Sequence, residues 1–424
     1  MNHQVKRLVV LIMFALGIPA GLQAQDSVRL TLPEIEQLFV QKNLSLLAQR
    51  YHVDIARAEV IQARLRINPN VQFTGNAYDP ALKKPLNWND KTGQYVFDVQ
   101  QLVRLAGKRN KQIQLAQTSA MMEEQAFFDL LRTLRFSLRC TFYELYFLYH
   151  SINAYQTQID YLEKLNDTQN ELQRKGSITL KDALRITSLL YTLKAEQTIF
   201  VNQVNDLNAE LQLFIQDNSI TILPVADGLT LYQNVNRYPL PVLLDSAYAN
   251  RYDLLMAKST ITYHQQNLAL EKAMAVPDLT LGAEFDKRGS FVDNATFFSV
   301  AMDLPFFHRN QGNIKAARIK VDQSALLLKQ KQTEVENEVM SAYFKVTSTD
   351  QTIQSLDTTF IDKLQFLLQS VTENFQKKNI SLLEFTDFYQ SYKENILHYN
   401  QLRNERMQAL EKLQFAVGKP ILNL

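Results

Sequence analysis

Residues 171–180, ELQRKGSITL, return 202 positions later as residues 373–382, ENFQKKNISL. Each is a short basic turn set between long stretches of helical period. Working outward, residues 105–113 (LAGKRNKQI) correspond to 306–314 (FFHRNQGNI) at an offset of 201. Leu32-Pro33 and Leu240-Pro241 each open a helical run, and Pro69 and Pro277 each close one, at an offset of 208. Self-similarity at a nearly fixed spacing is the mark of repeated units. The chain is therefore expected to be a tandem duplication, with copies at 29–225 and 238–424. The fall in offset from 208 to 201 places seven extra residues between Pro69 and Leu105 of the first copy.

Each copy reads as helix, strand pair, long helix, turn, helix. In the second copy the apolar seam runs Val335, Val339, Ala342, Val346, Thr349, Ile353, Leu356, Phe360, with steps alternating between four and three, the coiled-coil period. A further step of four leads to Leu364, and the seam is expected to continue through Leu367 and Val371; such an interruption locally unwinds a supercoil. The first copy shows the same rhythm at Leu138, Phe142, Leu145, Tyr149, Ile152 and Ile159. A helix over 109–174 would measure roughly 100 Å, and flanking helices over 33–67 and 180–216 are each near half of that. These lengths predict a rod.

Four short segments change to period two. Val71, Phe73, Gly75 and Ala77 alternate with Gln72, Thr74, Asn76 and Tyr78, and Tyr95, Phe97 and Val99 with Val96, Asp98 and Gln100, in the first copy. In the second, Leu279, Leu281, Ala283 and Phe285 alternate with Thr280, Gly282, Glu284 and Asp286, and Phe298, Val300, Met302 and Leu304 with Phe297, Ser299, Ala301 and Asp303. Such alternation suits a barrel wall with an apolar outside and a polar lumen. It also suits two amphipathic hairpins packed on a soluble core. Four strands cannot close a barrel, and lipid tolerates no open edge, so a membrane wall requires other subunits.

Composition narrows the classes. Only 11 Gly and 11 Pro occur in 424 residues, which leaves long uninterrupted elements. Lys and Arg number 45 against 43 Asp and Glu, a balance that excludes a broadly basic nucleic-acid binder. The single Cys140 excludes an intramolecular disulfide, and the six scattered His form no local pair. No metal or other cofactor site, phosphate loop or nucleophile constellation is legible, so the chain reads as a non-enzyme without cofactor. Lys6-Arg7, the apolar run from Leu8 to Leu16 and Ala24 before Gln25 read as a secretory signal peptide over 1–24. The remainder is then neutral and exported.

This order of elements resembles the TolC-type outer-membrane efflux protein family. The likeness is carried by LTLPEIEQLFVQKNLSLLAQ (30–49), Arg57-Ala58-Glu59 with Arg64, the Asn68-Pro69 exit into a strand, and LPFFHRNQGNI (304–314), which is similar to the strand-to-helix return of the heavy-metal and multidrug branch. The resemblance implies a mostly α fold with a small β part. Tandem-duplicated helical hairpins would form an α-barrel, and a homotrimer would contribute four strands per protomer to a 12-stranded outer-membrane β-barrel. It implies an exit duct in the outer membrane of a Gram-negative bacterium, with a large periplasmic part. The partners would be outer-membrane lipid, a periplasmic adaptor and an inner-membrane pump of the resistance-nodulation-division type; nucleic acid is not among them. The adaptor would dock on the turns, at Lys175, Gly176, Ser177, Ile178 and Thr179 and at Lys377, Lys378, Asn379, Ile380 and Ser381.

Gly176 suits a left-handed helix end, and Ser177 or Thr179, and Asn379 or Ser381, suit caps of the helices that follow. The second turn has Lys378 where the family usually has Gly, and Phe375 where it has Tyr. Glu384 and Asp387 share one helix face, whereas the residues 202 positions earlier, Asp182 and Arg185, are expected to pair with each other. Glu384 and Asp387 fall on the family's Asp-x-x-Asp position and would line the periplasmic gate, where crowding would raise carboxyl pKa values. A type I secretion channel remains an alternative, as does a non-conducting trimeric coiled-coil spacer. The substrate is not legible.

Overall fold

The computed structural model describes residues 26–80, 82–89, 92–226, 238–288, 292–355 and 359–420. The signal segment at 1–24 and the seam position Leu356 lie outside them. The chain groups in space into two units, one of residues up to 42 and 144–227, the other of 43–143 and 228–424.

In the smaller unit β1 (Asp26–Thr31) pairs in parallel with β6 (Ile220–Val225), from Asp26 opposite Ile220 to Thr31 opposite Val225. This pair is not among the elements expected from the sequence: β6 (ITILPV) carries Pro224, a residue that argues against a strand. The helix α1 (Leu32–Lys42) follows β1, and the distal part of α3 (Lys108–Arg174) turns into α4 (Leu180–Ile215). Ile35, Phe39, Ile159, Leu162, Ile186, Leu193, Leu211 and Ile222 form the core. Buried Asn208 ties α4 to β6: its Oδ1 accepts from the Ile222 amide at 2.9 Å and its Nδ2 donates to the Val204 carbonyl at 3.2 Å.

The larger unit holds α2 (Leu44–Arg64), β2 (Asn70–Gly75), β5 (Tyr95–Val103), the proximal part of α3, α5 (Leu240–Asn250), α6 (Tyr252–Met274), β7 (Leu279–Arg288), β8 (Asp293–Met302), α7 (Gln311–Ser355), α8 (Phe360–Gln376) and α9 (Leu382–Val417). The expected opening helix over 33–67 is instead two helices. Asn43 stands between α1 and α2 in extended conformation, and its side chain accepts from the Leu46 amide. A short polar side chain that caps the next helix competes with continuing the old one. Arg251 makes the equivalent break between α5 and α6, also extended, with Asp253 in the first turn of α6.

The sheet runs β2-β5-β7-β8, antiparallel throughout. Its register brings Phe73, Phe97, Phe285 and Thr296 into one row, and Val71, Val99, Ala283 and Phe298 into the next. Directly paired residues share a face. All four alternating apolar sets therefore lie on one side of one sheet, while Gln72, Asp98, Glu284 and Gln100 lie on the other. The apolar side is largely uncovered: Phe73 is 51% exposed, Phe298 73% and Val300 58%. Among the described residues, β2 and β8 are each paired on one side only. No described helix is long and apolar enough to cross a membrane.

The extra length between Pro69 and Leu105 falls between β2 and β5, where the described residues include a hairpin, β3 (Tyr78–Asp79) and β4 (Lys84–Pro85). Asp79 accepts from Asn87 Nδ2 at 2.8 Å, and the Trp88 indole donates to the Asn76 carbonyl and meets the Phe73 ring edge-on at 5.3 Å.

The seam of α7 is buried at Val335, Val339, Ala342, Val346 and Ile353. The expected continuation fails at Phe360 and Leu367, which are exposed; Leu364 is buried. Leu368 takes the place of Leu367 on the inward stripe of α8, and Val371, as expected, and Phe375 are half-buried below it. This is the local effect expected of two successive steps of four.

Candidate functional site

The two helix reversals are built from the same backbone hydrogen bonds. After α3, the amides of Gly176 and Ser177 donate to the carbonyls of Gln173 and Leu172. After α8, the amides of Lys378 and Asn379 donate to Phe375 and Asn374. Gly176 has φ +71° and nothing near its missing Cβ, whereas Lys378 adopts φ +60° with a side chain in place. That conformation costs a side-chain-bearing residue about 1–2 kcal/mol. Asn379 adds a side-chain bond to Asn374 at 3.0 Å. Lys175, Ser177, Thr179, Lys377, Lys378, Asn379 and Ser381 are exposed; Ile178 and Ile380 are half-buried.

Thr179 and Ser381 cap α4 and α9. Ser381 and Glu384 complete a reciprocal capping box: Ser381 Oγ accepts from the Glu384 amide, and the Glu384 carboxylate accepts from the Ser381 amide at 2.7 Å and hydroxyl at 2.8 Å. The Ser-x-x-Glu spacing carries this signal in the sequence. Within the single chain, the backbone and side-chain bonds from Ser381 hold the Glu384 carboxyl below its ordinary pKa. Within the chain, charge-assisted hydrogen bonding decides its titration. Asp387 lies one turn on, exposed.

The expected pairing of Asp182 with Arg185 is not made. Asp182 instead accepts from the Thr179 hydroxyl at 2.7 Å while its amide donates back to that oxygen. A capping contact three residues away is geometrically fixed by the turn, whereas a surface ion pair must order a long arginine side chain.

Behind the second turn Phe375 stacks on Phe385 at 4.5 Å and 21°, and Phe385 meets Tyr389 at 5.5 Å. Phe385 and Tyr389 are almost wholly buried, so the turn is braced by aromatic packing with Phe375 at its end. Farther along α9, Arg406 is 1% exposed and donates to Asp350 at 2.6 Å. At the far end two arginines cap α9: Arg132 donates to the Phe415 carbonyl at 2.7 Å, and Arg251 to that of Ala416 at 3.2 Å. Asp253 holds Arg251 through two bonds of 2.6 and 3.0 Å, and that guanidinium keeps the Asp253 carboxyl low against the opposing effect of burial. Gly418 ends the helix at φ +81°, and a Cβ there would lie 3.0 Å from Arg251. Cations at a helix C-terminus satisfy its free carbonyls and its dipole. These long-range pairs carry no local sequence signal.

The polar side of the sheet adds a second group of acids. Asp98 sits directly opposite Glu284, and Asp286 lies on the same side one pair along.

Residues 243–419 match the family described as OEP, outer membrane efflux protein. The cobalt-zinc-cadmium resistance protein CzcC of Cupriavidus metallidurans is 19% identical over 398 residues, covering 92% of this chain and 90% of that one. Among solved structures, a membrane protein from Pseudomonas aeruginosa aligns with a TM-score of 0.75 at 16% identity, over 91% of this chain and 92% of the other. The channel-forming CusC aligns with a TM-score of 0.73 at 16% identity, over 92% of both chains. The second half of the chain is thus similar to outer membrane efflux proteins, and the chain as a whole shares the fold of these solved structures, with one uncovered apolar sheet face and long paired helices.

Proposed function

We propose that the chain is an outer-membrane exit duct of efflux pumps and works as a homotrimer in which each protomer supplies its four strands to a common barrel. Unpaired edges at β2 and β8 and an apolar face bare of protein support this reading, because a spanning sheet must close on itself. The chain is read as two tandem copies, 29–225 and 238–424, each ending a helical hairpin in a turn that docks a periplasmic adaptor. The turns offer exposed Lys175, Ser177, Lys377, Lys378 and Asn379 on rigid, capped backbones. An inner-membrane pump of the resistance-nodulation-division type supplies the energy, and the duct conducts passively.

Glu384 and Asp387 line the periplasmic constriction and favour cations. The observation that carries this is their exposure on the first turns of α9, beside a turn whose backbone is fixed. Capping engages one carboxylate oxygen of Glu384, so the charge is retained and positioned rather than lost. The acids on the polar side of the sheet give the lumen the same sign. Metal cations are the substrate class that fits, in keeping with the name of the Cupriavidus relative.

The test replaces Glu384 with Gln and Asp387 with Asn, which preserves shape and removes two charges per chain. Reversal potentials in a salt gradient across a planar bilayer should show cation preference in the parent and a fall in the double variant. Equal preference in both would assign selectivity to another part of the duct.

A further inference from the structure

A cavity of about 330 Å³ opens in the larger unit where α3 passes the carboxy-terminal end of α9. Two stacked aromatic pairs wall it, Phe128 on Tyr252 at 4.9 Å and Phe136 on Phe415 at 4.8 Å. Three arginines on successive turns of α3, Arg132, Arg135 and Arg139, line it together with Lys419; Glu411 is the acid of the lining, and Arg132 is also held from outside it by Asp129 at 2.6 Å and Asp253 at 3.6 Å. Two of its acceptors are engaged: Glu411 receives Arg139 at 3.3 Å, and the Phe415 carbonyl receives Arg132. Gln414, only 7% exposed, lines the same space with an amide Nε2 that has no hydrogen-bond partner. A buried donor without an acceptor is costly unless something supplies one.

The lining thus offers donors, positive charge and flat apolar walls, and its volume suits a small molecule. We propose that it binds an organic anion, a carboxylate carried on a flat apolar group. The carboxylate accepts from Gln414 Nε2 and faces the arginine row, and the ring lies against the aromatic pairs. Such a ligand would touch α3 and the end of α9 at once and so hold them together. This site is remote in sequence from the turns and independent of their reading as a gate.

The test uses the full chain in detergent micelles with 2-naphthoate as probe, dialysed against protein-free micelles of the same detergent. Saturable binding near one per chain is expected, with a rise in melting temperature on saturation. Uncharged 2-naphthylmethanol should bind at least tenfold more weakly, and so should 2-naphthoate to Gln414→Leu. Gln414→Glu keeps the shape and reverses the chemistry, and should abolish binding while the parent melting temperature in the absence of probe checks its folding. Absence of saturable binding, equal affinity for the neutral analogue, or unchanged affinity in a folded Gln414→Glu variant would each overturn the proposal.

Discussion

The turn after α3 and the turn after α8 reverse the chain through corresponding hydrogen bonds, with Gly176 and Lys378 both left-handed, yet the helices that follow are fastened differently. Behind the first turn stands the small side chain of Ala183, with Thr187 hydroxyl-bonded to Asn166 at 2.6 Å. At the positions 202 later stand Phe385 and Tyr389, stacked below Phe375. The contrast extends along the helices. Asp350 and Arg406 form a buried ion pair, whereas the residues 202 earlier are Leu148 and Val204. The comparison teaches that backbone geometry at a turn is set by a few capping residues, while packing and charge behind it are free to diverge.

The largest test of that contrast is Arg406→Leu, which strands a carboxylate in the interior and should cost about 3–5 kcal/mol. Replacing Asp350 with Leu and Arg406 with Val together should recover most of the loss, because a buried pair exchanged for packed apolar groups is often neutral. Thermal unfolding of the single and double variants measures both. If the double variant is as unstable as the single one, the pair supplies more than its mutual neutralisation. Phe385→Ala should also cost about 3 kcal/mol or more, since it empties the centre of an aromatic stack. Hydrogen exchange should localise the damage to α8 and α9 and leave α4 protected.

Lys378→Gly should stabilise the second turn by about 1 kcal/mol by relieving the left-handed conformation, and Gly176→Lys should destabilise the first by a similar amount. Denaturant midpoints compare the two, and effects of equal sign would show that the turns differ in backbone as well as in side chains.

The smallest effect concerns pH. Because Ser381 holds the folded-state pKa of Glu384 below 4.5, its capping contribution is present above that value and is lost as pH falls through the lowered pKa. Amide exchange at 382–385 should therefore accelerate in acid, and Glu384→Gln should flatten that response. An unchanged acid response in the variant would place the titration elsewhere.

What the sequence makes legible follows from what is local. Period-two alternation at Phe73, Phe97, Leu281 and Phe298 is readable because strand side chains repeat every second residue, and the register then places these sets on one face. The turns are readable because Gly, Ser, Thr and Asn act within four residues. Asn43 carries a helix-capping signal, but the apolar spacing through Phe39 and Leu46 conceals the break. The Ser381–Glu384 box is legible at its spacing, and it lowers the Glu384 pKa within the chain. Arg132, Arg251, Asp350 and Arg406 find partners far along the chain, and no spacing rule reaches them. Aromatic packing of Phe385 on Phe375 depends likewise on the turn having already closed.

The central claim is that the sheet is a wall between lipid on one side and an aqueous lumen on the other. It is tested most directly by single cysteines at residues 297–302 of β8 in a Cys140→Ser background, reconstituted in outer-membrane lipid. Labels at Phe298, Val300 and Met302 should be quenched from the lipid phase, and labels at Ser299 and Ala301 should react with impermeant aqueous thiol reagents. Uniform aqueous reactivity along β8, with no alternation, would contradict the account.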